Sequence, residues 1–326
     1  MLIAHNSIHE KGIIMANWGK VIEKKIAAIK EHIGNDKALV ALSGGVDSAV
    51  AAVLGHMALG NKLTVLFVEN GLMRQGEAKY VKDIFKKMGI HVQVLNAKKE
   101  FFGALAGKTD PEIKRQAITD TFYADVFAKF VQKKKIKALL QGTILTDVDE
   151  TLAGIKRQHN VLEQLGIDPV KEYGYSVIEP LIDLRKDGVR NLARALKMPK
   201  EISNRIPFPG PALATRVIGE VTPERVATVR KATTIVEEEL ASTGAFQYFA
   251  VLMEDKATGM RNNQRDFGNI LVVRCIESKD ARKAKPTQLP WAKLNRLAKR
   301  LTEEVPGCVR VLYDITSKPP ATVEFI

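Results

Sequence analysis

Short apolar runs alternate with longer amphipathic stretches over residues 17–183. The apolar runs predict strands at residues 38–42, 63–69, 91–96, 138–141 and 176–181. Between them, hydrophobic residues recur at helical spacing, and the clearest stretches predict helices at 19–33, 77–88 and 111–133. Strands that are apolar throughout and separated by helices are typical of a parallel sheet with helices on both faces. The pattern therefore predicts an α/β domain whose ligands bind at the carboxyl ends of the strands.

The pattern changes at residues 204–211, where three prolines and a glycine fall close together. Proline has no backbone N–H and clashes with the preceding turn of a helix, so this segment predicts a domain boundary. We expect an N-terminal extension, an α/β domain and a C-terminal domain at residues 1–16, 17–205 and 206–326.

The region after the boundary predicts a smaller α+β domain. Thr222 followed by Pro223 is typical of a helix start, with a capping hydroxyl before a first-turn proline, and the helix is expected to end near Gly244. A second helix is predicted at 291–304, and strands at 246–253, 269–276, 309–315 and 322–326.

The composition narrows the protein class. Hydrophobic residues make up 45% of the 326 residues and charged residues 27%, as in an ordinary globular protein. No run approaches the roughly 20 apolar residues that span a bilayer, and the N-terminus lacks the apolar segment of a secretory signal. Cys275 and Cys308, the only cysteines, lie in apolar strand-like runs. They indicate buried thiols in a reducing cytoplasm rather than a disulfide or a metal pair.

The formal net charge of +13 raises the question of nucleic-acid binding. ATP and other nucleotides also need positive potential, the basic residues are spread along the chain, and no zinc-finger or RNA-binding aromatic motif is present. Nucleic acid is therefore not the favoured partner.

Residues 43–48 read S-G-G-V-D-S and connect the predicted strand 38–42 to an apolar helix. The two glycines allow a tight turn, and the helix N-terminus offers unpaired N–H groups to a phosphate. Ser43 and Ser48 are expected to donate hydroxyl hydrogen bonds to phosphate oxygens. Asp47 suits Mg²⁺, which favours one or two carboxylates together with phosphates. No Gly-Lys-Ser/Thr ending follows, so this is not a Walker A loop.

The S-G-G-V-D-S string resembles the PP-loop of the ATP-pyrophosphatase superfamily, whose members cleave ATP between the α and β phosphates and adenylylate a substrate. Later segments resemble the synthetase part of GMP synthetase: residues 67–74 (F-V-E-N-G-L-M-R), 108–115 (K-T-D-P-E-I-K-R), 141–148 (Q-G-T-I-L-T-D-V) and 155–161 (I-K-R-Q-H-N-V). In the C-terminal domain, so do residues 205–214 (R-I-P-F-P-G-P-A-L-A) and 314–324 (D-I-T-S-K-P-P-A-T-V-E).

This resemblance implies a set of site residues, with ATP and Mg²⁺ as ligands. The residues expected at ATP are Ser43, Gly44, Gly45, Val46, Asp47, Ser48, Val68, Leu72, Gln141, Gly142 and Thr143. Asp47, Ser48 and Lys156 are the catalytic candidates, Lys156 being a lid residue that neutralises charge on the transferred phosphate. Asp47 and Asp147 are the metal candidates. Xanthosine monophosphate (XMP) is expected to contact Arg74, Pro209, Gly210, Arg274, Lys318 and Glu324, with Arg274 and Lys318 at its 5′-phosphate.

The resemblance also implies the reaction, an ATP-dependent amination of XMP to GMP through an adenylyl-XMP intermediate. No nucleophile-elbow cysteine with glycine neighbours precedes the phosphate loop, so ammonia is expected either free or from a separate glutaminase subunit, and the two-subunit form of the family implies the latter. A homodimer through the C-terminal domain is a further implication.

Some segments depart from the family pattern. Gln158 replaces a histidine, residues 162–165 read L-E-Q-L instead of G-G-L-P, and the chain finishes Phe325-Ile326 instead of Trp-Glu. These departures leave open a divergent paralogue that adenylylates a different nucleotide-like substrate. Two further hypotheses are an enzyme that adenylylates a tRNA base and a non-catalytic nucleotide-binding subunit.

Overall fold

The computed structural model describes residues 18–152, 170, 174–203, 205, 208–261, 263–279 and 281–326. Within this part the chain forms two compact units. The first takes the described residues of Met1–Val68, Ala78–Leu95 and Phe127–Arg205, and the second those of Glu69–Glu77, Asn96–Val126 and Ile206–Ile326. The second unit includes residues 69–77 and 96–126, which we expected in the α/β domain. The predicted domain limits stay a prediction.

The first sheet has five strands in the order β3-β2-β1-β4-β5. Their bounds are β1 (Ala38–Leu42), β2 (Leu63–Glu69), β3 (Val92–Asn96), β4 (Ala138–Leu140) and β5 (Ser176–Ile178). β1 pairs in parallel with β2 and β4, and β4 pairs in parallel with β5. The central strands are apolar because both of their faces are covered, and β1 and β4 are almost entirely buried.

Helices connect and flank these strands. Their bounds are α1 (Trp18–Ile33), α2 (Val46–Leu59), α3 (Glu77–Lys87), α4 (Lys98–Leu105), α5 (Pro111–Asp120), α6 (Ala128–Lys134), α7 (Leu145–Leu152), α8 (Lys186–Ala195), α9 (Lys200–Ser203), α10 (Pro223–Leu240) and α11 (Trp291–Glu304). Short 3₁₀ turns cover Gly60–Lys62, Ala212–Arg216 and Ala241–Thr243. Among the described residues no helix is both long and apolar enough to cross a membrane.

The helix predicted over 111–133 is interrupted. Asp110 caps α5 by accepting hydrogen bonds from the N–H groups of Glu112 and Ile113, and Pro111 occupies the first turn. The chain then widens into a π-helical segment at Thr121–Phe127 before α6 begins. Hydrophobic periodicity does not distinguish this wider turn from an α-helix, so the sequence predicted one continuous element.

The second unit contains a four-stranded sheet and two long helices. Its strands are β6 (Gln247–Arg261), β7 (Gln264–Glu277), β8 (Lys285–Pro286) and β9 (Cys308–Asp314). β7 is antiparallel to β6 and β8 and parallel to β9. The Thr222 hydroxyl caps α10 as predicted, accepting a hydrogen bond from the N–H of Arg225.

Two predictions for the second unit are wrong. β6 and β7 extend beyond the predicted strands 246–253 and 269–276, and their antiparallel pairing continues to Arg261 and Gln264. The apolar runs stop before this extension, so hydrophobicity alone did not predict it. Residues 322–326 form no strand, because the Arg274 side chain binds the carbonyls of Thr322 and Val323 in place of a neighbouring strand. The α/β fold with a parallel sheet and a C-terminal region that combines helices with a second sheet is confirmed.

Candidate functional site

The phosphate loop leaves β1 at Ser43 and enters α2 at Val46. Gly44 has φ 79°, a left-handed conformation that favours glycine, and Gly45 is extended at the helix N-cap without a side-chain cap. The Ser43 and Ser48 hydroxyl oxygens lie 3.0 Å apart, and Ser48 Oγ also accepts from the Ser43 N–H. Both predicted phosphate donors therefore lie at the uncapped N-terminus of α2, where a phosphate is favoured.

Gly142, at the end of β4, packs directly on this loop. A Cβ placed on Gly142 would lie 2.7 Å from the Ser48 nitrogen and 2.8 Å from the Asp47 carbonyl carbon. Only glycine fits at such a distance from rigid backbone. The predicted grouping of Gly142 with the phosphate loop therefore has a steric basis in the structure.

Asp47 has two different oxygens. Its Oδ2 lies 2.5 Å from Lys186 Nζ at the start of α8, whereas its Oδ1 is buried without a hydrogen-bond partner among the described residues. A buried carboxylate oxygen without a partner is costly. Mg²⁺ shared with the phosphates of ATP would satisfy it, so the residues present fit a magnesium ion. The described residues contain no cluster of three or more His, Cys, Asp or Glu side chains for a metal held by protein alone.

Arg205 supports the loop from the other side. Its Nη1 donates to the Gly44 carbonyl oxygen at 3.0 Å, and its guanidinium carbon lies 4.8 Å from the centre of the Tyr80 ring. A small, mainly apolar cleft lies beside this contact and is lined by Leu42, Gly44, Gly45, Ala49, Tyr80, Val81, Ile84, Phe85, Ile202 and Arg205. The conformation of Gly44 is thus fixed by a side chain about 160 residues along the chain.

The other predicted first-unit residues follow β4. The Gln141 N–H donates to Ile178, and its side-chain oxygen is buried without a partner among the described residues. Thr143 is fully buried. Asp147 Oδ2 accepts from the N–H of Ile144 at 3.1 Å, so this carboxylate already stabilises the start of α7. The second metal candidate therefore has a structural role that Asp47 Oδ1 lacks.

Val68 and Leu72 lie at and beyond the end of β2. Val68 is buried in the first unit, and Leu72 is completely buried in the second. The N–H of Leu72 donates to Asn70 Oδ1 and its carbonyl accepts from the N–H of Leu213. Side chain and backbone are both engaged, so the structure corrects the expected ATP contact of Leu72 to a packing role.

An arginine network binds the C-terminal residues to the rest of the second unit. Arg216 is 1% exposed and binds both carboxylate oxygens of Glu324 at 3.0 and 3.1 Å. Gln247 Nε2 donates to the same carboxylate at 2.5 Å. The guanidinium lies over the rings of Phe208 and Phe249, at 5.1 and 4.2 Å. Its Nη1 is buried without a partner among the described residues, which leaves a charged donor for another ligand.

The structure brings Arg74 to the same aromatic ring. Its guanidinium carbon lies 4.2 Å from the centre of the Phe208 ring, and its Nε lies 3.0 Å from Glu237 Oε1. Pro209 and Gly210 directly follow Phe208, and the Pro209 carbonyl accepts from the N–H of Ala212. Arg74, the 208–210 turn, Arg216 and Glu324 therefore form one cluster within the second unit.

Arg274 is not available to a phosphate. It is 1% exposed, and its guanidinium donates to the carbonyls of Val323, Thr316 and Thr322 and to the Asp314 carboxylate. The expected direct contact with the substrate phosphate is therefore corrected. Arg274 instead fixes both ends of the 316–323 loop.

That loop carries Lys318, whose ammonium donates to the Ala281 carbonyl at 2.8 Å. One hydrogen bond leaves two N–H donors of the ammonium for a ligand. Lys156, the remaining catalytic candidate, lies outside the described residues.

The sequence did not predict five further residues of these sites: Lys186, Arg205, Phe208, Arg216 and Gln247. Phe208 and Arg205 fall in a segment that resembles the family, but their contacts depend on folding. Lys186, Arg216 and Gln247 had no recognisable spacing to their partners, and Arg216 stands 108 residues from Glu324. Their signal is the three-dimensional contact alone.

Two family models match successive parts of the chain. Residues 18–210 match the family model described as NAD synthase, and residues 234–325 match the one described as GMP synthase C terminal domain. Among solved structures, NMN synthetase from Francisella tularensis matches with a TM-score of 0.47 and 19% identity, covering 60% of this chain and 77% of that one. That level is too low to identify fold or function.

Curated relatives match nearly the whole chain. A protein named as the B subunit of glutamine-hydrolyzing GMP synthase, from Methanocella arvoryzae, is 49% identical, covering 95% of this chain and 100% of its own. Proteins of the same name from Archaeoglobus fulgidus and Pyrococcus horikoshii are 49% and 46% identical, covering 94% and 95% of this chain and 98% and 99% of their own.

Proposed function

This chain belongs to the family of B subunits of glutamine-hydrolyzing GMP synthase, and from this premise we propose how its residues carry out the reaction. The chain is a ligase that uses ATP to aminate XMP to GMP. The family resemblance stated from the sequence is thereby confirmed. The matches favour XMP amination and give no support to another substrate, a tRNA base or a non-catalytic subunit.

On the ATP side, the phosphate loop binds the triphosphate through backbone N–H groups and the hydroxyls of Ser43 and Ser48. The ammonium of Lys186, close to Asp47, adds positive charge beside the phosphates. Asp47 Oδ1 would hold Mg²⁺, which supplies charge neutralisation on the phosphate oxygens when bound. Lys156 is retained as the proposed lid lysine.

The reaction then needs little acid–base chemistry from the protein. The O2 oxygen of XMP attacks the α-phosphorus, the bond to the β-phosphate oxygen breaks, and pyrophosphate leaves. Ammonia then attacks C2 of the adenylylated base, a proton is lost, and AMP departs with the former O2. Positioning and charge neutralisation therefore carry most of the catalysis.

On the XMP side, we assign recognition to the second unit. Arg74 and Lys318 bring positive charge, and Arg216 offers its unpartnered Nη1 beside Glu324. The 208–210 turn adds the Phe208 ring as a surface for a base. Arg274 contributes through the 316–323 loop rather than by direct contact.

The family name implies a separate glutaminase subunit, and we propose that it supplies the ammonia. We also propose a homodimer through the second unit, supported by exposed apolar side chains on its sheet and the loop beyond it, notably Phe267 at 67% and Ile315 at 75% exposed. We further propose a reducing, cytoplasmic location, supported by the buried Cys275 and Cys308, which form no disulfide.

The buried, unpartnered Asp47 Oδ1 at the phosphate loop is the observation that carries this assignment. The test is release of pyrophosphate from Mg-ATP with ammonium, measured with and without XMP, with GMP quantified in parallel. We expect one pyrophosphate per GMP and dependence on XMP. Pyrophosphate release that ignores XMP, or XMP-dependent release without GMP, would contradict the assignment.

A further inference from the structure

The loop that follows β2 has an unusual attachment within the second unit. Gly71, Leu72 and Met73 are buried, and their three consecutive carbonyls all accept hydrogen bonds from residues far along the chain. Leu213 serves the middle carbonyl through its N–H. One side chain, Arg230 of α10, serves the other two: Nε donates to Met73 at 2.8 Å and Nη2 to Gly71.

α4 also contacts the loop. Gly71 has φ 79°, and a Cβ on it would lie 2.5 Å from the Phe102 ring. The loop backbone therefore contacts both an aromatic ring and a guanidinium, and these contacts restrict its movement.

α10 makes a second contact with the same loop. Glu237 stands seven residues after Arg230, two helical turns on, and therefore on the same face. Its carboxylate accepts a hydrogen bond from Nε of Arg74, the residue that directly follows the 71–73 backbone held by Arg230 and Leu213. Arg230 thus fixes the position of the Arg74 backbone. Glu237 fixes the direction in which the Arg74 guanidinium lies over Phe208.

We propose that Arg230 is a positioning residue for the second substrate: its two carbonyl contacts hold the 71–73 backbone so that Arg74 is presented to XMP. This inference rests on the proposed role of Arg74 in binding XMP. A planar guanidinium can bridge two carbonyls at once, whereas the single ammonium of a lysine lacks this fork geometry.

The test compares Arg230→Lys and Arg230→Ala with wild type in XMP-dependent pyrophosphate release, with separate KM values for ATP, XMP and ammonium. A shift of about 1 Å in a positioned group can reduce turnover by about 10²-fold. We therefore expect Arg230→Ala to lower kcat/KM for XMP by about that factor and Arg230→Lys to lie between it and wild type. The KM for ammonium should not change.

Arg310 provides the matched control, because its guanidinium also donates to a backbone carbonyl of this unit, that of Thr258. Arg310→Lys should retain wild-type KM values for all three substrates. Glu237→Gln provides a second variant in case Arg230→Ala does not fold, and it should also raise the KM for XMP without changing that for ammonium.

Two results would overturn the inference while the proposed function stands. In one, the Arg230 variants keep wild-type KM values and lose only folded protein, which is a purely structural effect. In the other, Arg230→Lys matches wild type throughout. Wild-type protein without XMP-dependent pyrophosphate release would instead overturn the proposed function, and this inference with it.

Discussion

The phosphate loop of the first unit and the arginine network of the second are built in opposite ways. The loop is six consecutive residues that act mainly through small side chains and backbone, with Gly44 allowing the turn and Gly142 the close approach of β4. The network consists of long side chains from distant segments, such as Arg216 and Glu324, held by charge and aromatic rings. The residues of the loop are consecutive and only its supports, such as Arg205 and Gly142, come from distant segments, whereas every contact of the network joins distant segments.

The largest effect is expected at Asp47. Asp47→Ala removes the carboxylate that fits Mg²⁺ and leaves Lys186 without its partner, so XMP-dependent pyrophosphate release should fall by about 10³-fold. Asp149→Ala is the control, because Asp149 pairs with Arg185 at the surface and should leave activity unchanged. If the rate of pyrophosphate release in Asp47→Ala fell by less than tenfold, the loop would work without this carboxylate.

Lys186 should come next. Lys186→Met removes the positive charge beside the phosphates, and we expect kcat to fall by about 10²-fold with little change in the KM for XMP. Lys186→Arg keeps the charge and should restore part of the rate. Equal losses in both variants would indicate that Lys186 serves only to hold Asp47.

Much of the first unit was predictable from the sequence, and the second much less so. β1, β2 and the phosphate loop follow from apolar runs and a compact motif, and the predicted strands 38–42 and 63–69 match the structure. The π-helical segment at Thr121–Phe127 and the long hairpin were missed, since periodicity does not report either. The role of Arg274 was misassigned because a sequence does not show which charges become buried and paired.

Glu324 offers a stability test of the second region. Glu324→Ala leaves the fully buried Arg216 without its carboxylate, and removing one partner of such a pair typically costs about 3 kcal/mol. Urea unfolding followed by a probe in the second unit should show an earlier midpoint. An unchanged midpoint would mean that the rings of Phe208 and Phe249 suffice to hold Arg216.

The smallest effect concerns pH. Burial lowers the pKa of Lys114 to about 8, and its ammonium donates to the Val217 carbonyl. Above about pH 8 the folded protein releases this proton, while the unfolded chain keeps it until its ordinary value of 10.5. The unfolded state then binds more protons, so this residue makes stability rise with pH across that window.

Lys114→Met removes the proton and should abolish this rise. The measurement is the unfolding midpoint of wild type and variant at pH 7 and pH 9.5. The advantage of wild type over the variant should be greater at the higher pH, and an equal difference at both values would contradict the lowered pKa.

The central claim is that ATP chemistry lies in the phosphate loop of the first unit and XMP recognition in the second unit, in the arginine network and the 316–323 loop. Paired KM measurements on Ser48→Ala and Arg274→Lys test it most directly. Ser48→Ala removes a hydroxyl at the loop, so we expect a higher KM for ATP and an unchanged KM for XMP. Arg274→Lys loosens the 316–323 loop, so we expect the reverse. If each variant raises the KM for ATP and the KM for XMP equally, the assignment of the two substrates to separate regions is wrong.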